Sequence, residues 1–135
     1  MNEIYAAIFA RLNSQITEYP IFDYVPQDQQ YPYIQVGGLD AANDDTQTNI
    51  GYNSTIVIMA YADYKGYKDI NLMSELVFNA LHRYVMPDTA TYGISTIHRE
   101  FYTTAVGSSG VSKMANVMQG ISRYRIIFEV LPPPS

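Results

Sequence analysis

Two stretches of this chain carry apolar residues at helical spacing, and nearly everything between and after them reads as strand. That pattern leaves few architectures open. In residues 2–18, Tyr5, Phe9, Leu12 and Ile16 fall on one face, with Ile4 and Ile8 widening the stripe. Pro20 marks the end of this helix, because proline cannot continue the backbone ladder. In residues 66–85, Ile70, Met73, Val77, Ala80, Leu81 and Tyr84 recur in the same way, up to Pro87-Asp88.

The strand candidates are 21–25, 31–36, 51–62, 92–106 and 119–131. Pro32 points to a strand start or an edge, since it has no N–H to donate, and Gly37-Gly38 permits a bend or bulge before the chain leaves the sheet. The stretch 51–62 is apolar on both faces, which places it centrally. Along 92–106, Ile97, Phe101 and Ala105 share a face with Ser95, Arg99 and Thr103, so the alternation is imperfect. The last stretch has the cleanest period: Tyr124, Ile126, Phe128 and Val130 alternate with Arg123, Arg125, Ile127 and Glu129. The expected fold is α+β, in the order α-β-β-β-α-β-β. A mainly antiparallel sheet of four to five strands carries both helices on one face. One domain spans 1–135, ending in a short Pro-rich tail at 132–135.

Composition narrows function. With 47% hydrophobic residues a core is available, yet only 16% are charged. The formal net charge is −5, and the eight basic residues are scattered along the chain. Tight binding of nucleic acid, or docking on an anionic membrane, would call for gathered positive charge. The absence of cysteine rules out disulfides, thiol chemistry and cysteine-based zinc sites. The N-terminus has Glu3 and no basic region, so no signal peptide is expected, and the longest apolar run, Ile56 to Ala62, is too short to span a bilayer.

No catalytic or cofactor-binding motif stands out. Nucleotide-binding glycine patterns are absent, and Gly107-Ser-Ser-Gly110 lacks the context of a hydrolase serine. His98 and Glu100 are two apart and would share a face of a regular strand; a solvated or hydrogen-bonded pair is the simplest reading. Asp40, Asp44 and Asp45 lack the regular ligand spacing of a calcium loop. No catalytic residue, metal ligand or cofactor is therefore assigned.

Thirteen tyrosines and no tryptophan suit a surface that is wet before assembly and buried afterwards. Two long loops, 40–50 and 107–118, suit ordering against a partner. The candidate assembly-interface residues are Asp44, Asp45 and Thr46 in the first loop, Lys113, Met114 and Met118 in the second, and Tyr61 and Tyr64 at the end of the central strand.

Over nearly its whole length the chain resembles the tail-completion, or tail-terminator, family of long-tailed bacteriophages. The matching pieces are Val25-Pro26-Gln27, Tyr31-Pro32-Tyr33-Ile34, the apolar strand closing on Tyr61-Ala-Asp-Tyr-Lys-Gly66, Ala80-Leu81-His82 and the final strand 121–130. Tyr61 stands where the family commonly has tryptophan. The resemblance implies a non-catalytic virion subunit, made in the host cytoplasm. It would form a ring, expected to be a hexamer, that caps the tail tube and meets the head connector. Its partners would be further copies of itself, the tail-tube protein and a head-completion protein. DNA would pass through the ring unread, and a negatively charged lumen would let it slide. Competing readings are a head-closure or tail-tube subunit, a small-molecule-binding α+β domain, and a module stacking single-stranded bases on its tyrosines.

Overall fold

A computed structural model describes residues 2–26, 28–43, 51–63, 67–89, 91–107 and 117–131. The elements follow the expected order: α1 (Asn2–Gln15), β1 (Ile21–Phe22), β2 (Tyr33–Asn43), β3 (Gly51–Ala62), α2 (Tyr67–Leu81), β4 (Tyr92–Gly107) and β5 (Val117–Val130). The strands form one five-stranded sheet in the order β1-β2-β3-β5-β4. Only the two-residue β1 runs parallel to its neighbour; the other pairings are antiparallel.

Helix α1 buries Ile4, Ile8, Leu12 and, just past its end, Ile16. That row is the core stripe. Tyr5 and Phe9, placed in it by sequence, flank it half-buried, with rings 6.4 Å apart. Helix α2 buries Ile70, Met73, Val77, Ala80 and Leu81. Each such side chain contributes about 1.5–3 kcal/mol through removal of apolar area from water. Beneath the helices lie Ile34 and Val36 of β2, Ile56, Ile58 and Ala60 of β3, and Tyr124, Ile126 and Phe128 of β5. Arg11 ties the helices together: its Nε–H donates to the Ala80 carbonyl at 3.0 Å, and its guanidinium lies 3.8 Å from the centre of the Tyr84 ring. Ala80 belongs to the last turn of α2, whose carbonyls have no partner within the helix.

Several boundaries differ from the expected ones. Helix α2 stops at Leu81 rather than near Tyr84, because Arg83 turns into the left-handed region (φ 60°) and gives its N–H to the Ile97 carbonyl of β4 at 2.8 Å. The strand expected over 21–25 is only two residues long. At Gly37-Gly38 the chain bulges as expected but does not leave the sheet: pairing resumes at Leu39 and runs to Asn43 opposite Tyr52. The imperfect pattern of 92–106 has a physical cause. Bulges between Ile94 and Thr96, and between Arg99 and Phe101, shift the pleat, so Ile97 and Arg99 face the helices while Phe101 faces away. The Pro-rich tail, like Gln27, lies outside the described residues.

Helix α2 packs closely on β5 at Gly120, where a Cβ would stand 2.8 Å from Ile70 Cγ2 and 3.2 Å from Ser74 Oγ. Gly120→Val should therefore lower unfolding free energy by about 1–3 kcal/mol through overpacking. Gly38→Ala, with nothing within 4 Å of the added carbon, should cost little. Urea denaturation of the two variants tests this.

Candidate assembly interface

Both helices cover one face of the sheet, and on the other face strand alternation turns a second set of residues outward. On β3 these are Thr55, Val57, Met59 and Tyr61; on β5 they are Ile121, Arg123, Arg125 and Ile127. Cross-strand register places Met59 beside Ile121 and Tyr61 beside Tyr33. At this corner Tyr31 stacks on Tyr33 at 5.4 Å, and Tyr33 leans on Tyr61 at 5.1 Å. Burial, reinforced by the neighbouring phenols, pushes Tyr33 up to about 12, so its ring adds apolar area without charge at neutral pH.

Farther along the same face lies a polar network. Arg125 grips Glu100 through Nε (2.7 Å) and Nη2 (3.1 Å), Arg123 reaches the same carboxylate at 2.8 Å, and Arg125 Nη1 also donates to Asn53. Glu100 sits at the second bulge of β4, which lets its carboxylate meet both arginines. Hydrogen bonding from Arg125 is the main reason its pKa falls below the usual glutamate range. Asp40 accepts hydrogen bonds from Thr55 N–H (3.0 Å) and Oγ–H (2.6 Å), which lower its pKa likewise. No bond or ion pair joins His98 to Glu100, because the carboxylate is held by the arginines; among the described residues no cluster of histidine and acidic side chains could hold a metal.

The outer edge of β4 meets the end of α2. Beside the Arg83–Ile97 bond, His82 Nδ1 accepts the Arg99 N–H at 3.1 Å, which places the imidazole proton on Nε2. The His82 ring stacks on Phe78 at 4.3 Å, and the Arg99 guanidinium lies over the same Phe78 ring at 4.4 Å. Next to this junction, Val85, Thr96, Ile97 and His98 line an open depression of about 490 Å³.

Of the residues singled out from sequence, Tyr61 lies on the helix-free face as described. Met118 does not stand in a loop: β5 begins at Val117, so Met118 pairs with Ala62 and Val106 and is buried in the core, leaving no side chain for a partner. Asp44, Asp45, Thr46, Tyr64, Lys113 and Met114 lie outside the described residues. Four of the eight basic residues, Arg83, Arg99, Arg123 and Arg125, lie at the β5–β4 end, Arg99 on the helix side and Arg123 and Arg125 on the helix-free face. A sequence signal for this existed. Between Arg11 and Lys65 there is no lysine or arginine but seven acidic residues, so the β1–β2–β3 half holds no positive charge.

With this geometry in hand, the chain was compared with known proteins. No protein-family model and no curated protein matches it. Among solved structures, a chain from the "Virion of native gene transfer agent (GTA) particle" superposes with a TM-score of 0.78 over 92% of both chains, at 17% sequence identity. The fold is shared with a virion chain. At that identity the likeness speaks for the helix and sheet arrangement alone.

The His82 junction yields a prediction. Burial, together with Arg83, His98 and Arg99, holds the imidazole below its usual pKa. The unfolded chain then binds more protons at this residue, so stability is complete above about pH 6.5 and declines as pH falls through that value. Protonation also removes the acceptor for the Arg99 amide. His82→Ala should cost about 1–2 kcal/mol, accelerate hydrogen exchange of the Arg99 amide and abolish this part of the pH dependence. NMR exchange measurements between pH 5 and 8 check all three.

Proposed function

We propose that the chain is a structural subunit of a virion, acting at the head-proximal end of a phage-type tail. It caps the tail tube as a ring and joins the finished tail to the head connector, and it works by binding rather than by catalysis. The observation that carries this reading is the fold: it superposes on a virion chain over 92% of both lengths. The ordered sequence motifs from Val25 to Val130 support the narrower assignment to the tail end.

The surface suits this role. A sheet covered by helices on one side leaves the tyrosine corner and the Arg123–Glu100–Arg125 network on the other, where apolar ring area and directional polar groups lie side by side. The depression beside His98 is open, and the nearest carboxylate in sequence, Glu100, is not among its lining residues, so a reactive pair does not converge there. The two helices also set the chain apart from tail-tube subunits, which carry little helix in this arrangement.

Particles produced without this protein should contain filled heads and over-long tubes that fail to join, and added purified protein should restore joining. Electron microscopy of the lysates reads the outcome. Tails of normal length, joined to heads in its absence, would overturn the assignment.

A further inference from the structure

The two ends of the sheet both have open edge and exposed apolar side chains, and they differ in charge. At one end β1 pairs with β2 only at Ile34 and Gln35, so no described strand lies beyond the rest of β2 on that side. At the other end β4 is the last strand, and residues after α2 bond to it at Tyr92, Ile97 and Arg99, leaving its far half toward Gly107 with no described strand beyond it. Open edges of this kind invite another strand or another chain.

Charge follows the same division. Glu18, Asp23 and Asp28 flank β1, and Asp40 lies on β2, with no basic residue in that half of the sheet. Arg83 and Arg99 sit at the outer edge of β4, and Arg123 and Arg125 on the adjoining strand are paired with Glu100, so among the described residues the unmatched positive charge of this end is that of Arg83 and Arg99. Each end also presents a large, more than four-fifths exposed apolar side chain to water. Tyr24, two residues past β1, is 82% exposed; Val85, just past α2, is 86% exposed and lines the depression at the β4 edge.

We propose that copies of this chain join head to tail through these ends, the Asp23-Tyr24 side of one copy seating against the Arg83–Val85 and β4 side of the next. The occupant is a second copy because the required complement, acid with an exposed aromatic ring, is present on the same molecule at the opposite end. A two-fold dimer through the β1 end would instead set acid against acid. Two different patches at opposite ends make a heterologous contact, which closes into a ring when the rotation between copies permits. This names the subunit contact within the ring proposed above and rests on that reading. The depression beside Val85 receives the Tyr24 ring, and opposite charge around it orients the approach.

The test uses Tyr24→Ala and Val85→Asp, both at exposed positions, with circular dichroism to check that each variant keeps the wild-type fold. Sedimentation velocity across a concentration series should show self-association of the wild-type chain that weakens as salt rises. Each variant alone should associate about tenfold more weakly. An equimolar mixture of the two should stop at a heterodimer, because each variant keeps one intact end. Wild-type and variant chains that associate equally well would move the subunit contact elsewhere while leaving the ring intact. A wild-type chain that stays monomeric throughout would overturn the inference, and the joining of heads and tails in particles would still be decided by the deletion experiment.

Discussion

The rest of the molecule depends on the burial of β5. This strand lies between β3 and β4, pairs with both along its length, and sends Ser122, Tyr124, Ile126 and Phe128 beneath the helices. Its inner row is where α2 meets the sheet, through the close approach at Gly120. Tyr124 is wholly buried, and the loss of water around its phenol drives its pKa well above the ordinary tyrosine value. Residues that stand alternately in and out on one strand thus hold the helices on one face and, through Arg123 and Arg125, build the network on the other.

A one-sided core has a consequence for function. Apolar residues committed to the helix side leave the opposite face to be furnished by tyrosines, aliphatics and a few paired charges. The charges on this face are already matched: Glu100 is shared by two arginines, and Asp40 is satisfied by Thr55. The two ends of the sheet order are furnished differently, one acidic and one of mixed charge, because residues 12–64 hold no lysine or arginine and form β1 to β3, while β4 and β5 carry arginines together with Glu100 and Glu129.

Much of the architecture was legible in the sequence, and the failures have physical reasons. The helical stripes and the period of 119–131 mark burial directly, and those elements stand where the period put them. Asp40 to Asn43 read as loop because polar residues dominate, yet they pair with Tyr52 to Thr55 as an extension of β2. Met118 read as loop because 111–118 shows no alternation, and its burial comes from register with Ala62 and Val106, neither of which is local. The bulge between Arg99 and Phe101 moved Phe101 to the opposite face from Ile97, which no fixed period can express. The convergence of Arg83, Arg99, Arg123 and Arg125 depends on β5 inserting between β3 and β4, a fact of topology and not of spacing. The role of His82 as acceptor for a β4 amide was likewise hidden, because its partner lies 17 residues away.

The central claim is that this fold is one layer of a virion's head-to-tail joint, and imaging the intact particle that contains it addresses this directly. Cryo-electron microscopy should find the chain as a ring at a single level between head and tube, with the β1 end of each copy against the β4 end of the next. Density for the chain repeating along the tube, or no density for it in the particle, would contradict the account.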